Sequence, residues 1–263
     1  MHAYAGISIV NAIPSWYGSS GAVGLKVKAE IEETKEREKE KESSLIREIL
    51  DFFESKWDIP HLRVNVESEV PQGSGLKSSS AVSVAIIEEI YRRYNIEYLD
   101  PPKLSAILSI KAGVSFTGAL DDASSSYYGG ISFTNNKRFE IIEMREPPDG
   151  VSIVILRKGN RTNVNLKLLT KFSLTFSEIF KIARSCPLKA MSLNGFLVAE
   201  VLGYPKEPIE MAMKKGALAA GISGNGPSYF AVTKEGDEGP IYDLFKKFGE
   251  PIITRFVKVE GHN

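Results

Sequence analysis

Apolar residues recur at every fourth position from Leu45 through Ile49 and Phe53 to Trp57, with Ile46 and Leu50 alongside, which predicts one apolar face of a helix. Leu62, Val64 and Val66 then alternate with Arg63, Asn65 and Glu67, the pattern of a half-buried strand. A second helix is expected from near Ser79, where Val82, Ala85, Ile86 and Ile90 share a face, and a third from Pro101-Pro102 to a stop at Gly113. Nearer the start, residues 5–10 and 24–31 read as strands joined by a loop over 11–21, which is rich in Pro, Gly, Ser and aromatics. The mixed-charge run 32–42 has no aromatic residue and reads as a solvated connection without chemistry.

Past the middle, 130–134 and 138–144 flank Asn135-Asn136-Lys137 as a hairpin, and Glu146-Pro147-Pro148-Asp149-Gly150 punctuates the chain. That turn is taken as the boundary between an N-terminal lobe, 1–150, and a C-terminal lobe, 151–263. The continuous apolar run 151–156 suits a buried strand, and helical patterns follow over 174–185, 187–202 and 207–219, with Gly203 as a stop. A strand over 228–233, a helix over 241–248 and a strand over 252–259 finish the chain in the manner of a ferredoxin-like lobe. The fold class is therefore α+β in two lobes, without an internal repeat.

Composition narrows the ligands. A chain of 263 residues can bury a sizeable core, and 33 basic against 33 acidic residues give a formal net charge of zero. No electrostatic footprint for nucleic acid or an anionic membrane stands out, no apolar run approaches a bilayer span, and the partners expected are small molecules. The single cysteine, Cys186, excludes an intramolecular disulfide, and the first residues lack the basic and apolar regions of a secretion signal, so a reducing cytoplasm is the natural setting. His2, His61 and His262 are scattered and support neither a zinc site nor a Ser-His-Asp site.

The candidate chemistry begins at residues 69–82, where a loop rich in glycine and serine runs into the second helix. Gly73 and Gly75 allow the backbone to turn N–H groups inward, the helix N-terminus adds positive partial charge, and Ser78, Ser79 and Ser80 can cap the helix or meet a cation. Such a cradle suits a nucleotide polyphosphate. A Walker loop ending at Lys77-Ser78 is excluded, because it needs glycine at Pro71 and Leu76. A second glycine loop, Ser223-Gly224-Asn225-Gly226-Pro227, could approach a ligand closely or be a plain turn. Asp121 and Asp122 stand together before a short helix, where they either serve chemistry or cap that helix; being adjacent, they cannot share one face of it.

Residues 71–81 resemble the P-x-x-x-G-L-G-S-S-A-A loop of the GHMP kinases, and two further blocks of that family follow in order: Thr117-Gly118-Ala119-Leu120-Asp121-Asp122 through Gly129-Gly130, and Gly221 through Pro227. Within the family, G-L-K-S-S-S, the doubled aspartate and Ser192-Leu193-Asn194-Gly195 look like the archaeal shikimate kinase branch, and the resemblance covers nearly the whole chain. It implies a two-lobed GHMP kinase fold, with an N-terminal lobe like a ribosomal-protein domain and a ferredoxin-like C-terminal lobe. It also implies ATP and Mg²⁺ as cofactors and shikimate as acceptor, in a monomer or homodimer. Homoserine kinase, another small-molecule kinase of the family, or a non-catalytic nucleotide sensor are the alternatives.

Carried over residue by residue, the resemblance makes Asp122, with Lys77, the catalytic pair. It makes Pro71, Gln72, Gly73, Ser74, Gly75, Leu76, Lys77, Ser78, Ser79, Ser80, Ala81, Gly224 and Gly226 the nucleotide contacts. Ser79 matches the serine that reaches Mg²⁺ in relatives; their glutamate is missing from 108–111, which leaves Asp121 or water in its place. Lys77 stands where the general motif has glycine. For the carboxylate acceptor, Asn11, Arg157 and Arg161 are the candidates, a guanidinium being the natural partner of a carboxylate.

Overall fold

One long strand organises the N-terminal lobe. In the computed structural model, which describes residues 2–70, 73–158 and 164–260, β1 (His2–Val10) pairs antiparallel with β2 (Tyr17–Glu33). The start of β2, Tyr17 to Gly21, also pairs with β4 (Ile131–Asn135), and its end, Val27 to Glu33, pairs with β3 (Leu62–Ser68). β5 (Glu140–Arg145) closes the sheet beyond β4. Residues 17–21, expected in a loop, are therefore strand. Gly18, Ser19, Ser20 and Gly21 carry no apolar alternation, yet their small side chains let β1 and β4 close over them.

Four helices cover this sheet: α1 (Ser44–Lys56), α2 (Ser78–Tyr94), α3 (Pro101–Lys111) and α4 (Leu120–Tyr128). α1 buries Leu45, Ile49, Leu50 and Phe53, and the Ser43 hydroxyl caps it by accepting from the Ile46 N–H. α2 touches β1 and β2 as well as α1, α3 and α4. Val84, Ala85, Ile86, Ile87 and Ile90 are all buried on it, so it is held from both sides and its N-terminus has a fixed direction.

The charged run differs from the solvated connection expected. Arg37, in its middle, has a side chain only 2% exposed, and its guanidinium reaches Glu42 at 2.5 Å, Asp51 at 2.7 Å and Glu54 at 3.1 Å. A guanidinium presents several donors in a fixed fork, so one buried arginine can gather three carboxylates that would otherwise repel.

In the C-terminal lobe, β6 (Val151–Arg157), β7 (Ala219–Ile222), β8 (Tyr229–Lys234) and β9 (Glu250–Thr254) form an antiparallel sheet in the order β7-β8-β6-β9. α5 (Ser173–Ala183), α6 (Pro187–Leu202) and α7 (Glu207–Lys214) connect β6 to β7, and α8 (Gly239–Lys246) connects β8 to β9. Helical connections after the first and third strands, in this strand order, make the ferredoxin-like arrangement. The helix expected over 207–219 stops at Lys214, and β7 begins at its last position. Gly216, at φ +92°, ends the helical stretch, and Ala219 and Ala220, residues that suit either element, are settled by pairing with Val232 and Ala231.

β9 also stops short of the strand expected to 259, because residues 255–260 return to the first sheet. Gly24 N–H donates to the Arg255 carbonyl at 2.9 Å, Val257 N–H to Ala22 at 3.0 Å, Gly130 N–H to Val257 at 3.0 Å and Glu260 N–H to Tyr128 at 2.7 Å. Gly129, at φ +70°, admits this tail, since a Cβ there would stand 2.2 Å from the Lys258 carbonyl oxygen. Among the described residues, no helix is long and apolar enough to cross a membrane.

Replacing Arg37 by Ala strands three carboxylates around an emptied, largely covered site. Urea denaturation followed by far-UV circular dichroism should show a loss of about 2–4 kcal/mol, whereas a change below about 0.5 kcal/mol would make the cluster an ordinary surface one.

Candidate active site

The glycine loop carries its own backbone into unusual territory. Gly73 and Gly75 adopt φ +70° and +83°, and Lys77, the residue before α2, sits at φ +65°. No side chain caps α2, so its first N–H groups are open to a cleft of about 610 Å³. Ser78 Oγ is buried there without a hydrogen-bond partner, and Ser79 is exposed in the same cleft. Both features fit a ligand rich in anionic oxygens. Ser74 and Ser80 line the cleft as well. Leu76 and Ala81 turn their side chains into the core, where both are fully buried, so only backbone groups are left at these two positions to meet a ligand. Pro71 and Gln72 lie outside the described residues.

A second loop locks the first. Ser223 Oγ donates to the Gly75 carbonyl at 2.8 Å, and Ser228 N–H donates to the Ser74 carbonyl at 3.2 Å. A Cβ on Gly75 would stand 2.5 Å from the Ser223 carbonyl oxygen. Gly224 and Gly226 line the cleft, so the third sequence block faces the first across it. Asn11 joins them at the end of β1: its N–H donates to Asn194 Oδ1 at 2.8 Å, its Nδ2 donates to Asn225 Oδ1 at 2.7 Å, and its Oδ1 accepts from Ile13 N–H at 2.9 Å. Asn11 thus lines the cleft with its amide engaged in the wall.

The two aspartates diverge. Ala119 takes the cap position of α4 at φ +52° and no side chain caps the helix, so neither carboxylate is spent on capping. Asp122 Oδ1 lies 2.8 Å from Lys77 Nζ, and the same ammonium donates to Ser8 Oγ at 2.7 Å. Asp121 points toward the sheet. Asn136 Nδ2 donates to its Oδ1 at 2.9 Å, Ser132 Oγ donates to its carbonyl at 2.7 Å, and a Cβ on Gly18 would stand 2.5 Å from its carboxyl carbon. Burial first, and then the neighbouring charge of Asp122, push the Asp121 carboxyl up to about 7, with Lys77 and the Asn136 hydrogen bond opposing.

Several of these partners are not apparent from pattern alone. Ser8 had a signal, as a lone hydroxyl among Ile7, Ile9 and Val10 in a buried strand; Asn136 looked like a hairpin residue, and its role depends on pairing across the sheet. Arg157 ends β6 beside the second glycine loop, where the next residue's N–H donates to Ser228 Oγ at 3.2 Å, but its guanidinium faces Glu250 at 3.7 Å and it is not among the described residues that line the cleft. Arg161 lies outside the described residues. Among the described residues, no group of three or more His, Cys, Asp or Glu side chains could hold a metal ion.

Residues 44–130 match the family model described as the GHMP kinases N terminal domain, and residues 179–250 match the one described as GHMP kinases C terminal. Solved structures share the fold: Methanococcus jannaschii mevalonate kinase has a TM-score of 0.74 with 16% identity over 98% of both chains. Homoserine kinase from Cytophaga hutchinsonii has a TM-score of 0.72 with 17% identity, covering 99% of this chain and 96% of its own. Sequence similarity is greater to shikimate kinase of Pyrococcus furiosus, with 36% identity over 94% of this chain and 95% of that protein. Likeness of that extent runs through the loop, the paired aspartates and the locking loop alike, and the chain belongs to the GHMP kinase family.

Proposed function

We propose that the protein transfers the γ-phosphoryl group of ATP to a hydroxyl of shikimate, giving shikimate 3-phosphate. The observation that carries the reaction class is the Lys77–Asp122 pair, 2.8 Å apart, in the same cleft as the uncapped N-terminus of α2. The acceptor follows from the full-length relative named shikimate kinase. In this reading residues 1–150 supply the nucleotide cradle, and 151–263 supply the locking loop and a second wall.

Phosphoryl transfer is chiefly positioning and charge neutralisation. The N–H groups of loop 73–77 and of the first turn of α2 hold the phosphate oxygens, with the unpartnered Ser78 hydroxyl as a further donor. Lys77 offsets charge on the transferred group. Asp122, kept next to that ammonium, accepts or orients the proton of the attacking hydroxyl. Ser79, the exposed hydroxyl of the first turn, would hold Mg²⁺, which would supply positive charge against the phosphates. Asp121 lines the same cleft with one carboxylate oxygen held by Asn136, which leaves the other to meet the cation or its water.

A coupled ADP-release assay offering shikimate, homoserine and mevalonate separately tests the acceptor: turnover is expected with shikimate, and turnover with another alcohol alone would overturn that part. Asp122→Asn should lower kcat by about 10²–10⁴ while ATP affinity by calorimetry changes little; near-normal turnover removes Asp122 from the chemistry. Ser79→Ala should raise the Mg²⁺ concentration at half-maximal rate about tenfold, the scale of one lost ligand or hydrogen bond, and an unchanged requirement would leave Ser79 a structural residue.

Asp121 also predicts a pH dependence of stability. Its carboxyl is pushed up to about 7 in the folded protein from the ordinary value of 3.8, so between these values unfolding releases a proton and stability falls as pH rises. The slope should approach about 1.4 kcal/mol per pH unit, and Asp121→Asn should remove that component from urea denaturation of the ligand-free protein between pH 4 and pH 8. Parallel curves for the two proteins would show that Asp121 titrates normally.

A further inference from the structure

Lys77 occupies a backbone conformation that favours glycine, at φ +65°. A lysine there carries a local cost of order 1 kcal/mol, so its side chain is expected to be doing something a glycine could not. Its path is closely guided. The stem passes β1 where Gly6 has no side chain, since a Cβ on Gly6 would lie 3.2 Å from Lys77 Cγ, and the ammonium passes Gly224, whose Cβ would lie 3.3 Å from Nζ. Gly6 N–H also donates to the Leu76 carbonyl at 3.1 Å, which pins the loop to β1 immediately before the lysine. At the end of this lane stand two groups only 2.7 and 2.8 Å from Nζ: the Ser8 hydroxyl and the Asp122 carboxylate.

An ammonium is a rotating point charge with three equivalent donors. The ion pair with Asp122 is not directional, since Oδ1 stands 2.8 Å from Nζ without accepting a hydrogen bond, and it leaves the ammonium free to turn. Ser8 Oγ, fixed in a strand and 1% exposed, accepts a hydrogen bond from the ammonium and limits that rotation. We propose that Ser8 is a positioning residue of the phosphoryl-transfer site: it takes one donor of the Lys77 ammonium and holds that charge against Asp122, so that lysine and aspartate face the reacting groups together. The proposal rests on the kinase reading above, and it adds a residue that lies outside all three family blocks. Ser8 acts through Lys77, and its contribution should vanish when Lys77 is absent.

The test is a double-mutant cycle of Ser8→Ala and Lys77→Met, assayed for ATP-dependent phosphorylation of shikimate. Ser8→Ala should lower kcat about tenfold, the scale of one hydrogen bond to a charged group, with KM for both substrates changed less than about threefold and the thermal midpoint nearly unchanged. In the Lys77→Met background the same substitution should cost less than about twofold in kcat. Losses that multiply across the cycle, or a Ser8→Ala enzyme within twofold of wild type, would overturn the proposal. A second readout does not depend on the substrate: trace acetylation of the ligand-free protein, followed by peptide mass spectrometry, should label Lys77 faster in Ser8→Ala than in wild type. Equal labelling overturns the Ser8–Lys77 link even if shikimate proves to be the wrong acceptor, and absent turnover in wild type with faster labelling in the variant would reject the acceptor and retain the link.

Discussion

The charge pair between Lys77 and Asp122 governs the arrangement around it. Two opposite charges with side chains 9% and 14% exposed have surrendered most of their water, and each depends on the other for compensation. The lysine comes from the glycine loop and the aspartate from the first turn of α4, so the pair ties two distant parts of the N-terminal lobe at the cleft floor. Every nearby contact reinforces this tie. Ser8 takes a donor of the ammonium, Ser223 and Ser228 hold the loop's carbonyls, and Asn136 with Ser132 anchors the turn that carries Asp122. The interactions that assemble the site are those that join its layers.

The doubled aspartate illustrates how one dipeptide can support two environments. Neighbouring positions on a helix point about a quarter-turn apart, so one carboxylate meets the ammonium and the other meets the sheet. Burial raises the cost of ionising Asp121, which leaves Asp122 as the carboxylate with a charged partner. Divergent environments for adjacent acids are a recurring route to a defined acid–base pattern.

Much of this was legible in the sequence where information is local. The fourfold spacing of Leu45, Ile49 and Phe53 marks α1, the prolines at 101 and 102 open α3, and the three family blocks point to the cleft and its loops. What escaped depends on long-range pairing. Ala219 to Ile222 is too short and too rich in small residues to declare a strand before β8 lies beside it, and Ser19 and Ser20 look like loop until two strands enclose them. Arg37 sat inside a run of alternating charges, which conceals a buried guanidinium because composition does not say which member of a run turns inward. Arg157 stands at the strand end nearest the second glycine loop, yet its guanidinium faces Glu250 on the neighbouring strand, an orientation set by pairing across the sheet and not by the sequence around it.

The return of residues 255–260 to the first sheet changes what the cleft can do mechanically. A pair of lobes joined by one peptide turn can swing in any direction about it. Here a second crossing, hydrogen-bonded at Gly24, Ala22, Gly130 and Tyr128, runs alongside the turn at 146–150. Twisting or sliding of one lobe over the other would first have to peel this tail from its strand, and swinging the lobes apart would first have to break the bonds from the second glycine loop to Ser74 and Gly75.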